Sequence, residues 1–306
     1  MSFNQKQHLA DNIEAIRLSF ELEKSGTQPT LEQQNVLRKY CGFGGLKCIL
    51  LPCKQPEDVQ QWTKTDAPLF PLVTRLHEVL KENTKTDNQY FQYLESLKSS
   101  ILTAFYTLPE IVRAIAGQFA KHGIIPKRFL DPSAGNGVFL SAFKDIGAKE
   151  KVCFEIDLMT GKILKTLYPQ DTVYIAGFET MDSRYEGYFD VVSSNIPFGS
   201  FRVFDPAFSN CKDVIKRRST EIIHNYFFFK SMDALRDGGI MALITTRAFM
   251  DGQGNRDERE WLMQRANLIS AIRLPDNLFV NSANTQAQTD LIILQKNSEK
   301  TGSNTR

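Results

Sequence analysis

The segment Asn195-Ile196-Pro197-Phe198 places an amide, a proline and an aromatic ring directly after an apolar run typical of a buried strand. The Asn195 side-chain oxygen and the Ile196 carbonyl are acceptors that could take both hydrogens of an exocyclic amine. Such bonds would localise the nitrogen lone pair and stabilise the positive charge that develops when this nitrogen is alkylated. Pro197 would stiffen the turn, and Phe198 would stack on an extruded base. Taken alone, the segment could also be a turn that caps a strand.

A glycine turn follows an earlier predicted strand, in the stretch FLDPSAGNGVFL. Asp131 ends that strand, and the turn through Gly135 and Gly137 would let the backbone pass close to a ligand before a helix begins near Val138. The third glycine of the dinucleotide-binding fingerprint is missing, because Leu140 stands at its position. A tight structural turn is therefore the alternative interpretation of this motif alone.

Acidic residues follow the next two predicted strands. Glu155 lies about twenty residues beyond the glycine turn, where a carboxylate can accept both hydroxyls of a ribose. Glu179, or alternatively Asp182, could accept a hydrogen bond from an adenine amino group. No lysine or arginine lies in the glycine turn to bind a phosphate. Together these features predict a pocket for an adenine nucleoside without phosphate, which S-adenosylmethionine fits better than a nicotinamide cofactor does.

The pattern of apolar residues changes near residue 127. Before it, apolar residues recur at spacings of three and four, which predicts helices, and a Thr30–Gln33 capping box and Pro109 mark two helix starts. After it, short apolar strands alternate with helical stretches, which predicts an α/β fold with a mostly parallel sheet covered on both faces. The predicted strands are 128–131, 151–157, 172–178, 188–195, 239–246, 268–274 and 290–296. The predicted regions are helices over 1–100, the sheet domain over 101–296 and a flexible tail over 297–306.

The position of the motifs in this sheet favours a functional interpretation. Ligands in an open parallel sheet bind beyond the carboxyl ends of the strands. The glycine turn, Glu155, Glu179 and the Asn195 segment each lie at the end of a different predicted strand, so we expect all four at one edge of the sheet. The helix before the fifth strand is predicted to end at Gly238 and Gly239, as a C-cap.

Composition excludes several classes of protein. The chain has 306 residues, of which 42% are hydrophobic and 24% charged, an ordinary balance for a globular protein. A net charge of +2 means that any nucleic acid must be bound by a local patch. We expect a cytoplasmic protein with no membrane partner, because no signal-like segment and no run of ~20 apolar residues is present. The five cysteines include no C-x-x-C pair, which indicates reduced thiols and predicts no metal site.

One basic and aromatic segment, residues 200–220, follows the Asn195 segment directly. It interleaves basic side chains with Phe201, Phe204 and Phe208, against the acidic Asp205 and Asp213. Cations for phosphates and rings for bases predict contact with single-stranded or extruded nucleotides, although a solvated charged loop is the alternative. The predicted nucleic-acid-binding residues are Arg202, Lys212, Lys216, Arg217 and Arg218.

The motif order resembles that of the N6-adenine DNA methyltransferases, whose cofactor motifs precede a catalytic Asn-Pro-Pro-Phe or Asn-Pro-Pro-Tyr motif. The stretches that carry the resemblance are AFYTLPEIV, FLDPSAGNGVFL, FEIDL, GFETMD and SSNIPFG. The resemblance runs from about residue 102 to 296, with Ile196 in place of the usual first proline. Three further stretches extend the likeness to the methylase region of large helicase-methyltransferase proteins of phages and mobile elements: TLEQQNVLRKYCGFGGL, IHNYFFFKSMDALRDGGIMALITT and AIRLPDNLF. The resemblance implies a class I, Rossmann-like methyltransferase fold with a seven-stranded sheet and a helical N-terminal extension.

The resemblance also implies roles for individual residues, with S-adenosylmethionine as the cofactor and DNA as the partner. The cofactor's methionine end would be contacted by Tyr106, Thr107, Asp131, Ser133, Gly135 and Gly137. Glu155 would hold the ribose, Ile156 and Phe178 would flank the adenine, and Glu179 would bind its amino group. The catalytic residues would be Asn195, Ile196, Pro197 and Phe198. Because only about ten residues follow 296, target recognition would fall to the N-terminal helices or to a partner, such as a helicase or target-recognition subunit, or would be absent.

The expected reaction is methyl transfer to the N6 amine of an extruded adenine in DNA, in a restriction-modification or mobile-element setting. An Asn-x-Pro-aromatic motif could also hold a glutamine amide of a protein or a guanine amine of RNA, although the basic segment favours nucleic acid. A third interpretation is a DNA-binding or scaffold subunit whose pocket does not catalyse.

Overall fold

The computed structural model describes residues 4–103, 106–275 and 288–302. Contacts divide them into two units. The first contains the described parts of 1–106 together with 157–175, and the second contains the described parts of 107–156, 176–278 and 286–306. The segment 157–175, which we expected in the sheet domain, thus groups with the N-terminal helices, and the domain boundaries at 100 and 296 stay a prediction.

Helices and strands alternate from the middle of the chain onward. The elements up to the third strand are α1 (Gln5–Ser25), α2 (Leu31–Leu37), α3 (Phe70–Glu82), α4 (Asp87–Thr103), α5 (Pro109–Lys121), β1 (Arg128–Asp131), α6 (Val138–Asp145), β2 (Glu150–Phe154), α7 (Leu158–Leu167) and β3 (Thr172–Tyr174). The remaining elements are β4 (Phe189–Asn195), α8 (Pro206–Ser209), α9 (Val214–Arg218), α10 (Ile223–Ala234), β5 (Leu235–Thr246), α11 (Ala248–Asp251), α12 (Arg256–Met263), β6 (Ala266–Arg273), β7 (Thr289–Lys296) and α13 (Glu299–Gly302).

The seven strands of the described chain form one sheet in the order β3-β2-β1-β4-β5-β7-β6. β1 pairs in parallel with β2 and β4, and β4 pairs in parallel with β5, whereas β7 is antiparallel to both β5 and β6. The predicted seven-stranded, mostly parallel sheet is thereby confirmed. The strand order reverses between β1 and β4, and ligands of open parallel sheets bind at such a point.

The central strands of the sheet are buried, whereas the edge strand β6 is largely exposed. Phe129 and Leu130 of β1 and Val191 and Val192 of β4 have no exposed surface, as expected of central parallel strands. In α10, Phe228 stacks on Phe249 with ring centroids 4.1 Å apart. The adjacent Phe229 stacks on Trp261, also at 4.1 Å.

Several element boundaries differ from the predicted ones. β2 ends at Phe154 and β3 at Tyr174, because the chain leaves the sheet there, and residues Phe178–Thr180 form a short 3₁₀ helix instead. α10 ends at Ala234, so the predicted glycine cap was wrong. Gly238 has a φ of 71° and lies within β5, where the β4–β5 register shifts. A glycine at a bulge explains the Gly-Gly pair better than a helix end does.

The first unit is built on polar contacts between distant parts of the chain. α2 begins with the predicted Thr30 capping box, which is confirmed. The buried Asn12 of α1 donates to the Gly42 carbonyl at 2.6 Å and accepts from the Cys41 amide at 2.9 Å. None of the helices within the described ranges is both long and apolar enough to cross a membrane.

Ser96 joins α4 to the start of α7 within this unit. Its hydroxyl donates to Asp157 Oδ2 at 2.6 Å and accepts from the Met159 amide at 3.0 Å. Asp157 in turn caps α7 by accepting from the Thr160 amide at 2.8 Å. All of these groups are buried, so these hydrogen bonds form a specific contact between helices that are distant in sequence.

We expect Ser96→Ala to lower the free energy of unfolding by about 1–3 kcal/mol, because Asp157 and the Met159 amide each lose a buried partner. Urea denaturation measures this change. Ser25→Ala, at the exposed end of α1, is the control. An unchanged midpoint of urea denaturation in Ser96→Ala would show that the hydrogen bonds of Ser96 between α4 and α7 do not stabilise the fold.

Candidate active site

The carboxyl ends of β1 and β4 are joined by a side-chain hydrogen bond. Ser194, the residue before Asn195, donates through its hydroxyl to Asp131 Oδ1 at 2.7 Å, and the hydroxyl oxygen also lies 3.3 Å from the Ser133 carbonyl oxygen. Ser193 donates to the Ala242 carbonyl of β5 at 2.9 Å. The Asn195 segment therefore lies beside the glycine turn, the arrangement expected from the alternation of strands and helices.

Asp131 is fully buried at this junction. Its Oδ1 accepts from the Ser194 hydroxyl and from the Ser133 amide, the latter at 3.2 Å. Its Oδ2 is also buried and has no hydrogen-bond partner among the residues that the structure describes. Burial raises the pKa of Asp131 to about 7, even though the bonds from Ser194 and Ser133 act in the opposite direction. A buried carboxylate with an open acceptor is suited to a cationic or hydrogen-bond-donating ligand.

The glycine turn is held by the end of β2. Gly135 and Gly137 have φ values of 53° and 83°, a left-handed conformation that glycine adopts without strain. The Gly135 amide donates to Glu155 Oε2 at 2.7 Å, and the Ala134 amide donates to the Phe154 carbonyl at 2.9 Å. Sequence reasoning missed this contact, in which Glu155 shapes the turn. Its predicted bond to a ribose stays a prediction.

The residues predicted to flank an adenine differ in exposure. Ile156 is 72% exposed and offers an apolar surface directly after Glu155. Phe178 is 2% exposed, because Phe154 and Phe227 lie within 5.5 Å of its ring centroid. Glu179 follows it and is half-buried. Phe178 thus packs mainly against other aromatic side chains and exposes little surface to a ligand. Its direct contact with adenine stays a prediction.

Two neighbouring residues predicted to contact the methionine end of a cofactor, Tyr106 and Thr107, belong to different units. Thr107 belongs to the second unit, is buried, and its hydroxyl oxygen has no hydrogen-bond partner within the described part of the chain. Tyr106 belongs to the first unit, where its hydroxyl lies 3.3 Å from Thr160 Oγ1. Thr107 offers a second open buried polar atom in the unit that holds Asp131.

Asn195 ends β4 and pairs in register with Ile244 of β5. The next residue, Ile196, is fully buried, and its amide donates to the Ile244 carbonyl at 3.0 Å. A proline has no N–H and could not make this bond. Ile196 therefore extends the β4–β5 ladder one residue past Asn195, and Pro197 and Phe198 follow in a half-buried turn.

The five predicted nucleic-acid-binding residues fall into two groups. Lys216 pairs with Asp233 at 2.7 Å, Arg218 pairs with Asp257 and Glu258 at 2.8 and 3.0 Å, and Arg217 donates to the Cys211 carbonyl. The Arg202 side chain is 76% exposed and lies 3.5 Å from Glu221. Lys212 is exposed and makes no ion pair with any residue that the structure describes. Arg202 and Lys212 are thus the most available for phosphate, and the role of all five stays a prediction.

Asp205 is buried, which the alternative interpretation of residues 200–220 as a solvated charged loop does not explain. Its Oδ2 accepts from the Tyr226 hydroxyl at 2.7 Å and from Lys230 Nζ at 2.8 Å, and its Oδ1 caps α8 at the Ala207 amide. Burial alone would raise the pKa of Asp205, but the bonds from Lys230 and Tyr226 outweigh it and hold the pKa below its ordinary value. Asp205 therefore anchors the basic segment to α10. The Asp-Pro pair at a helix start was the only sequence signal for it.

Other titratable groups give no second site near these residues. Burial lowers the pKa of His224 to about 4, and its ring packs edge-on against Phe249. None of the five cysteines, all of which lie in the described ranges, is in a disulfide. No cluster of His, Cys, Asp and Glu that could hold a metal occurs within those ranges.

The first unit contains a separate groove of about 790 Å³, lined by residues that include His77, Lys81 and Tyr90.

Asp131→Asn tests the buried carboxylate through its pH dependence. Because its folded pKa is raised to about 7, Asp131 takes up a proton on folding, and its contribution to stability is lost as the pH rises from about 4 through 7. The neutral amide of the variant does not titrate, so its contribution to stability does not change with pH over this range. We expect Asp131→Asn to gain stability relative to the wild type by up to about 1.4 kcal/mol per pH unit over this range.

Urea denaturation at several pH values between 4 and 8 checks this prediction. Asp145→Asn, which removes an exposed carboxylate at the end of α6, is the control. A constant difference between Asp131→Asn and the wild type at all pH values would contradict the raised pKa.

Ile196→Pro tests the hydrogen bond that replaces the usual proline. We expect this variant to be less stable than the wild type by about 1–2 kcal/mol, because the Ile244 carbonyl loses its donor. Ile196→Val retains the N–H and measures the loss of apolar contact, which is typically about 1 kcal/mol. Equal or higher thermal stability of the proline variant than of the valine variant would show that the N–H bond contributes nothing.

Comparison with known proteins places the chain among DNA methylases. Residues 90–305 match the model of the family described as N-6 DNA Methylase. Over 197 residues the chain is 28% identical to Defense against restriction protein B of Escherichia phage P1, a match that covers 64% of this chain and 8% of that protein. The chain thus spans less than a tenth of the length of this curated relative.

Two solved structures share the fold over nearly the whole chain. A protein of Listeria monocytogenes described as a class I S-adenosylmethionine-dependent methyltransferase superposes with a TM-score of 0.54 at 15% identity, covering 96% of this chain and 88% of that one. The type I restriction-modification methyltransferase subunit of Streptococcus thermophilus gives a TM-score of 0.54 at 17% identity, covering 96% and 79%. With its matching motifs and sheet order, the chain belongs to the N-6 DNA methylase family and has the fold of the class I S-adenosylmethionine-dependent methyltransferases.

Proposed function

We propose that this chain transfers a methyl group from S-adenosylmethionine to the N6 amine of adenine in DNA, with the target base turned out of the duplex. The observation that carries the proposal is the bond from Ser194 to Asp131. It fixes the amide-bearing end of β4 against the glycine turn at the end of β1. A cofactor at one strand end and an amine at the other would thus be held side by side.

The residues at the end of β1 fit S-adenosylmethionine, the cofactor of this fold class. The cofactor carries positive charge on its sulfonium and amino groups, and Asp131 offers a buried carboxylate with an open oxygen. Thr107 adds a second open buried oxygen, and the left-handed Gly135 and Gly137 allow close approach of the backbone. Ile156 would cover one face of the cofactor's adenine. When bound, the cofactor supplies an electrophilic methyl group.

Asn195 and Ile196 would hold the amine that receives the methyl group. Their side-chain and main-chain carbonyl oxygens are acceptors for the two N–H groups, and they stabilise the positive charge that grows on the nitrogen. The bond from the Ile196 amide to Ile244 supports this role, because it fixes the backbone on which both acceptors depend. Phe198 would stack on the extruded base. The proton would leave the cationic nitrogen to solvent without a strong general base.

The proposed partners are DNA and a helicase or target-recognition subunit. The names of two relatives support this, since one is a type I restriction-modification methyltransferase subunit and the other a defence protein against restriction. The short match to the phage protein means that such a relative carries much additional chain. Within this chain, the helices over 1–100 are proposed to contribute to target recognition, and the sheet domain over 101–296 is proposed to carry out catalysis.

Asn195→Ala is expected to lower kcat by about 10²–10³-fold, because one preorganised acceptor at the developing charge is lost. The assay uses labelled cofactor and unmethylated genomic DNA, with nucleoside analysis for N6-methyladenine. Calorimetry should find cofactor affinity unchanged within a few fold. Asn88→Ala, on the exposed surface of α4, is the matched control and should methylate as the wild type does.

Each contrary result of this experiment has a defined meaning. Equal methylation by the wild type and Asn195→Ala would refute the role of Asn195. Transfer of the label to RNA or protein but not to DNA would replace the proposed substrate. Intact cofactor binding with no methyl transfer by either form would support a binding subunit instead.

A further inference from the structure

The ring of Phe201 packs against Gly199, the residue that follows the Asn195 segment, but most of the ring is exposed to solvent. A Cβ atom placed on Gly199 would lie 2.7 Å from Phe201 Cε2, so the ring packs directly on the Gly199 backbone. The φ of Gly199 is 140°, which also favours glycine. Gly199 follows Phe198 immediately, and Phe201 is nevertheless 65% exposed.

The backbone that carries this ring is anchored on its C-terminal side. The Val203 amide donates to the Thr220 carbonyl at 2.8 Å. Two residues later, Asp205 is buried to 1% exposure by its bonds to Tyr226 and Lys230. Phe201 is therefore exposed in a segment whose backbone is held in place by hydrogen bonds.

The side chains displayed by residues 199–205 suit a nucleotide with an unpaired base. Phe201 and Phe204 are 65% and 77% exposed, an uncommon arrangement for two large apolar rings. Between them Arg202 projects a guanidinium with 76% of its side-chain surface exposed. Rings for stacking and a cation for the backbone are the combination by which proteins bind single-stranded nucleotides.

We propose that Phe201 stacks on the base of the nucleotide next to the extruded adenine, an inference that rests on the proposed function. When a base leaves the duplex, its neighbour loses a stacking partner, and this loss is part of the cost of extrusion. A ring fixed two residues beyond Gly199 would replace that partner while Phe198 contacts the target itself. Arg202 would bind the phosphate beside the same nucleotide.

The test compares DNA duplexes that carry either a normal base or an abasic residue on each side of a single target adenine. On normal DNA we expect Phe201→Ala to lower kcat/KM by about 5- to 150-fold, the range for losing one base–aromatic stack. On the duplex that lacks the stacked base, the wild type and Phe201→Ala should agree within about twofold, because no stack remains to lose. Phe201→Trp should restore activity on normal DNA.

Phe91→Ala, which removes a ring that is 58% exposed on α4, is the matched control and should behave as the wild type on every duplex. Cofactor affinity in Phe201→Ala should equal that of the wild type, since the ring is assigned to DNA alone. Equal activity of Phe201→Ala and the wild type on normal DNA would overturn the proposal. An equal loss with and without the flanking base would also overturn it.

A binding measurement separates failure of this inference from failure of the proposed function. With 2-aminopurine beside the target adenine, stacking on Phe201 should quench the fluorescence in the wild type but not in Phe201→Ala. Quenching without any methyl transfer would support the stacking role and contradict the proposed activity. Methyl transfer with the same fluorescence in both forms would contradict the stacking role and leave the activity intact.

Discussion

A buried carboxylate connects the two strand ends on which this site depends. Asp131 ends β1, accepts from the Ser194 hydroxyl of β4, and has a pKa raised to about 7 by burial. No lysine or arginine of the described chain is hydrogen-bonded to it, so the folded protein carries an uncompensated electrostatic cost at this point. A cationic ligand would reduce that cost. Under the proposed function the same group would link ligand binding to the placement of the Asn195 segment, since Ser194 is the residue before Asn195.

The Asn195 segment obtains rigidity in a different way from the motif it resembles. A proline restricts one backbone angle through its ring, whereas Ile196 fixes the same position with a hydrogen bond to Ile244 and a fully buried side chain. A bond of this kind contributes about 1 kcal/mol, similar to the entropic effect of a proline at a compatible site. The substitution thus exchanges a restraint on the unfolded chain for a contact in the folded one. Both keep the main-chain carbonyl of this position, which is the acceptor that the proposed reaction would use.

Local patterns in the sequence predicted the sheet, because strand periodicity and glycine turns depend on neighbouring residues. All seven strands and the adjacency of the glycine turn to the Asn195 segment follow from them. Contacts between distant residues could not be predicted in this way. Asp205 was recognised only as an acidic residue of the basic segment, because Lys230, its buried partner, lies 25 residues away. Likewise, Ser96 and Asp157 are 61 residues apart, so nothing local indicated that α7 groups with the N-terminal helices.

The ion pairs of the basic segment limit how strongly this segment can bind DNA. Lys216 and Arg218 are already paired with Asp233, Asp257 and Glu258, so their release to a phosphate would break those pairs. Arg202 and Lys212 remain, and two phosphate contacts give a far smaller counterion-release contribution than the roughly six to ten contacts of strong DNA binders. Stacking by exposed rings depends on an unpaired base and thus acts only after the duplex has been opened. Affinity for intact duplex would therefore come largely from outside this segment, either from other parts of the chain or from a partner such as a recognition subunit or helicase.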